Sequence, residues 1–117
     1  MQGQYEIIPT DGNAVRFRLR SATGSVLATS RPFADREALV AGVREFQQIC
    51  LSNVPFHREE LEDGRWRFVV QTPQGEALAE SPPFESRKLM DASVKLTQLN
   101  GPRAPIGTDR SRRRVTR

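Results

Sequence analysis

Displacing the chain by 51 positions lays its first half over its second, and this internal repetition narrows the available folds more than any other feature. Tyr5 falls on Phe56; Val15, Arg16 and Phe17 fall on Trp66, Arg67 and Phe68; Leu19 falls on Val70 and Gly24 on Gly75. Leu27 and Ala28 fall on Leu78 and Ala79, Ser30 on Ser81, Pro32 and Phe33 on Pro83 and Phe84. Arg36, Leu39 and Val43 meet Arg87, Met90 and Val94. Whatever one half folds into, the other half folds into as well.

Within each copy the periodicities assign the elements. Val15, Phe17 and Leu19 alternate with Arg16, Arg18 and Arg20, the period of two of a strand with one buried and one wet face; Trp66, Phe68 and Val70 repeat the buried set. Asp11-Gly12-Asn13 and Asp63-Gly64 carry the positive-φ chemistry of a hairpin turn, which makes residues 5–8 and 56–61 the preceding strands. Turns at Thr23-Gly24 and Gln74-Gly75 lead into short third strands at 26–29 and 77–80. Asp35 and Ser86 then stand as N-caps able to accept from orphan amides of a helix's first turn. Leu39, Val43, Phe46 and Cys50 form one apolar stripe, and Leu89, Met90, Val94, Leu96 and Leu99 a broader one. Asn100-Gly101-Pro102 is a strong stop, with Gly101 available for a left-handed cap; Asn53-Val54-Pro55 ends the first helix less emphatically.

A three-stranded sheet has an apolar face too large for one helix to cover, so the two copies are expected to share a core. The expected fold class is α+β: two tandem β-β-β-α repeats with antiparallel sheet and packed helices, pseudo-twofold, followed by a disordered basic C-terminal tail. One compact domain spans 1–100, with repeats at 5–50 and 56–100, and the Arg-rich tail spans 101–117. The expected state is a monomer with an internal pseudo-dimer.

Charge divides the chain at the same boundary. Residues 1–100 hold twelve Lys and Arg against thirteen acids, whereas 101–117 hold six Arg against Asp109, so the net charge of +4 belongs to the tail. The first residues lack the basic and apolar regions of a signal peptide, and no apolar run approaches the ~20 residues that span a bilayer. Lone Cys50 forms no internal disulfide, in keeping with a reducing, cytoplasmic location.

The strand and Asp-Gly turn, the run VRFRLR, the TG turn, VLATS, PF and the helix holding REALVAGV together resemble the YegP-like family of bacterial proteins of unknown function. The resemblance covers nearly all of residues 5–100. It runs through Arg16, Phe17, Gly24, Ser30, Phe33, Arg36 and Gly42 in the first copy and Gly64, Trp66, Arg67, Phe68, Gly75, Ser81, Phe84, Arg87 and Val94 in the second. Thr23 and Gln74 stand where the family usually has Asn, and Ser93 replaces the helical Gly42 in the second copy. The resemblance implies two β-β-β-α repeats with helices packed on an antiparallel sheet, an arrangement that single-repeat members are expected to reach as dimers. It implies no reaction.

Candidate sites are few. His57, the only histidine, lacks neighbouring ligands at metal spacing, and Cys50 reads as a packing thiol rather than as half of a Cys–His dyad. No nucleotide-binding or hydrolase motif is present, so neither an enzyme nor a cofactor or metal site is expected. Arg16, Arg18, Arg20 and Arg67 share one sheet face, either as a phosphate-binding row or, the favoured alternative, paired with strand carboxylates such as Glu6 and Glu59. Base stacking on that face would need aromatics, which instead point the other way. Arg110, Arg112, Arg113, Arg114 and Arg117 form a candidate electrostatic arm for nucleic acid. The leading expectation is a non-enzymatic structural or interaction protein with an unknown protein partner and no membrane contact; the alternative is an auxiliary nucleic-acid binder acting through the tail.

Overall fold

Alternating side chains in six short segments, each bounded by a turn glycine, form strands, and two capped amphipathic stretches form helices. The computed structural model describes residues 3–52 and 55–109. Its elements are β1 (Gln4–Pro9), β2 (Val15–Arg20), β3 (Val26–Ser30), α1 (Arg36–Leu51), β4 (His57–Glu60), β5 (Trp66–Gln71), β6 (Ala77–Glu80), α2 (Arg87–Asn100) and β7 (Ile106–Asp109). Gly12, Gly24, Gly64 and Gly75 occupy the left-handed region, with φ of 69°, 93°, 87° and 89°, as the turn chemistry requires. Asp35 accepts from the Ala38 amide at 2.8 Å and Ser86 from the Leu89 amide at 3.2 Å, so both expected N-caps form.

All seven strands join one sheet in the order β4-β5-β6-β3-β2-β1-β7. The two halves meet at β3 and β6, where Thr29 lies opposite Glu80, its own counterpart at the 51-residue offset. Every pairing is antiparallel except β1 with β7. Both helices cover the same sheet face, and one core joins Tyr5, Phe17, Leu19, Phe68 and Val70 of the strands to Leu39, Val43, Phe46, Met90 and Val94 of the helices. Tyr5, Phe17 and Phe46 meet edge to face at centroid distances of 5.5 to 6.0 Å.

Three sequence expectations need correction. The broad leucine stripe of α2 does not all face the core: Met90, Ser93, Val94 and Thr97 are buried, while Leu89, Leu96 and Leu99 are 53%, 44% and 71% exposed. Gly101 is right-handed, with φ −53° and ψ −51°; its amide donates to Thr97 O at 2.8 Å, and the chain continues in a tight turn. Glycine is required there by proximity, because a Cβ would fall 2.7 Å from Cys50 Sγ and 2.9 Å from Thr97 O. The boundary expected at residue 100 also falls too early. Ala104 is buried, the Tyr5 amide donates to Pro105 O at 2.9 Å, and β7 extends the sheet beyond β1, because this stretch covers an edge that would otherwise expose Tyr5 and Ile7. The remainder of the expected disordered tail, residues 110–117, lies outside the described residues.

Candidate functional site

The sheet face away from the helices carries the arginine row that strand alternation predicts. Glu6, nearly buried, stands between two of its members: Oε1 lies 3.0 Å from Arg20 Nε and 3.7 Å from Arg18 Nη1. Arg16 donates to Ser30 O at 3.1 Å, and Arg67 pairs with Glu59 and, at 3.3 Å, with Glu80. Each arginine of the row thus has an acidic or carbonyl neighbour, as expected when cross-strand opposite charges offset one another. Arg18 Nε is shielded from solvent without a hydrogen bond. No aromatic ring joins the row: Phe17 and Phe68 are fully buried beneath the helices.

His57 lies on this open face too, opposite Val69, with Nε2 at 3.6 Å from Glu59 Oε2. Cys50 lies on the helix side and packs in the core, so the sheet separates the two groups and no dyad forms. Burial pushes the Cys50 thiol up to about 12. Tyr5 is also raised, by burial first and then by Cys50; its hydroxyl donates to Gly101 O at 2.7 Å. Among the described residues no group of three or more His, Cys, Asp or Glu is placed to hold a metal ion, and no helix is long and apolar enough to cross a membrane.

Two surface concavities flank the end of α2. One, of about 1010 Å³, is lined by Ser21, Thr23, Leu51, Leu96, Leu99 and Arg103. The other, of about 590 Å³, lies between β4 and α2 and is lined by Phe56, Arg58, Asp91, Val94, Lys95 and Gln98. Arg58 crosses its floor: Nε pairs with Asp91 Oδ1 at 2.8 Å and Nη1 donates to Phe56 O at 3.3 Å. The sequence reading missed this cleft, although Arg58 standing 51 positions after Ile7 was a visible signal of an altered edge. The candidate tail residues Arg110, Arg112, Arg113, Arg114 and Arg117 lie outside the described residues.

One mainly antiparallel sheet, helices on one face and ion-paired strands on the other, defines an α+β module. No family model matches the chain. A UPF0339 protein of Pseudomonas aeruginosa is 17% identical over 109 residues, covering 93% of this chain and 99% of its own. The solution structure of yegP from E. coli, a protein of unknown function, superposes with a TM-score of 0.83 at 15% identity, covering 91% of each chain. That of a UPF0339 protein from Shewanella oneidensis gives 0.82 at 19% identity, again over 91% of each. The chain is therefore similar to yegP in fold and to a UPF0339 protein in sequence over nearly its whole length. None of these names assigns an activity.

Proposed function

We propose that the chain is a duplicated, pseudo-twofold β-β-β-α module that acts as a non-enzymatic structural or interaction protein in the cytoplasm. It works as a monomer, its two units forming an internal pseudo-dimer. The observation that carries this reading is the disposition of its reactive groups. Cys50 and Tyr5 are buried with raised proton affinity, while the open-face arginines are engaged by Glu6, Glu59, Glu80 and the Ser30 carbonyl. Exposed surface is then left for contact with a macromolecule. Sedimentation equilibrium tests the monomer: a single species of 13.2 kDa is expected, and a stable dimer would sink it.

A second reading, an auxiliary nucleic-acid binder, rests on the concentration of Arg110, Arg112, Arg113, Arg114 and Arg117 at the end of the sequence. Its test compares the full chain with one ending at Asp109 on duplex DNA and RNA at several salt concentrations. Binding through Z phosphates gives a log–log slope of about −0.9Z on duplex DNA. A steep slope abolished by the truncation would put this reading first. No binding at low salt would end it.

A further inference from the structure

We propose that the cleft between β4 and α2 receives an extended, acidic peptide segment of a partner protein, which adds to β4 as an eighth strand. The molecule contains its own template for this. At the opposite edge of the sheet β7 runs parallel to β1, with Tyr5 beside Ile106 and Ile7 beside Asp109; the Tyr5 amide donates to Pro105 O at 2.9 Å. Ala104 is buried, Ile106 packs against the core and Gln47 of α1 reaches Ala104 O at 3.5 Å. A 51-residue shift carries Tyr5 to Phe56, Ile7 to Arg58, Val43 to Val94 and Gln47 to Gln98. All four destinations line the cleft of about 590 Å³. The strand registers agree, since Ile7 lies opposite Phe17 and Arg58 opposite Phe68.

β4 ends the sheet, and no described strand lies beyond it. The groove filled at β1 is therefore open at β4, with Arg58 rather than a neighbouring strand donating to the outward Phe56 carbonyl. Charge selects the occupant. A strand docked on β4 in the register of β7 sets its equivalent of Asp109 opposite Arg58, with Lys95 lining the same cleft; one carboxylate there, Asp91, faces two cations. A second copy of the chain fits less well. Antiparallel pairing of β4 with itself puts same-face residues opposite each other, so a central register sets Arg58 against Arg58 or Glu59 against Glu59. The recognised pattern is that of residues 104–109: a small residue, proline, a β-branched residue, and an acid three positions later.

This inference rests on the reading of the chain as an interaction module, and it is tested separately from it. The capped peptide Ala-Pro-Ile-Gly-Thr-Asp is titrated into the ¹⁵N-labelled full chain, alongside a version with its final Asp changed to Lys. Saturable amide shifts are expected at Phe56, Arg58, Val94 and Gln98, with the Lys peptide binding about tenfold more weakly. Arg58→Glu should reverse that preference; the peptide exchange itself needs no protein variant and holds even if Arg58→Glu fails to fold. Absence of saturation, equal affinity for the two peptides, or shifts centred on Tyr5 and Ile7 through displacement of β7 would each overturn the proposal. Such a failure removes the cleft assignment alone, because the monomeric module is tested separately by the sedimentation measurement.

Discussion

Gly42 and Ser93 occupy equivalent helix positions, yet they do not meet equivalent surroundings. A Cβ at Gly42 would fall 2.4 Å from Phe33 Cζ, so the ring lies directly on the helix backbone, whereas Ser93 is accommodated and buried. Gly42→Ala should therefore destabilise the fold by about 1 to 3 kcal/mol despite alanine's better helix propensity, and Ser93→Ala by less than about 1 kcal/mol. Urea unfolding of both variants checks this, and equal midpoints would contradict it. Cys50 supplies a pH dependence. Its folded pKa is raised from 9.0 to about 12, so as pH rises through that interval the unfolded chain releases a proton that the native thiol retains. Stability is fully present below about pH 9 and falls above it, Tyr5 acting in the same direction. Cys50→Ala should flatten the decline when unfolding is followed across this window.

Each third strand leaves the sheet through a serine whose role the pattern alone does not reveal. Ser30 Oγ accepts from the Phe17 amide at 2.9 Å and donates to Arg31 O at 2.7 Å; Ser81 repeats this with Phe68 at 3.0 Å and Pro82 O at 2.8 Å. The hydroxyl thus replaces a strand neighbour where the backbone turns away, and Phe33 and Phe84 return to bridge Val15 and Trp66. Ser30→Ala or Ser81→Ala strands a buried amide and should cost about 1 to 3 kcal/mol. A thermal-melting series with Ser→Thr controls would test it, and unchanged alanine melts would refute it. The helices teach a different lesson. The stripe of α1 was legible because its apolar residues form one face, whereas α2 carries two overlapping leucine faces and periodicity does not say which meets the sheet.

At the scale of the molecule, the two ends of the described chain close on each other. The Gly3 amide donates to Asn100 Oδ1 at 3.0 Å, the Tyr5 hydroxyl to Gly101 O, and β7 covers the edge of β1. A chain ending at Asn100 should lose about 2 to 4 kcal/mol through exposure of Tyr5, Ile7 and the core beneath Ala104 and Ile106. A chain ending at Asp109 should match the full protein in urea unfolding; a full-stability chain ending at Asn100 would show that β7 contributes nothing.

Strand alternation, turn glycines, N-caps and the α1 stripe were all determined by the sequence itself, because each is a matter of local sterics or of spacing between near neighbours. The pairing of the Arg row with Glu6 and Glu59 was legible for the same reason, strand period fixing the shared face. Contacts across long separations decided the rest. The junction of Thr29 with Glu80, the parallel seat of β7 beside β1, the right-handed Gly101 against Cys50 and the open cleft at Arg58 each depend on segments roughly 30 to 100 residues apart meeting in space, where loop closure and shared burial select the partner and no local period records it.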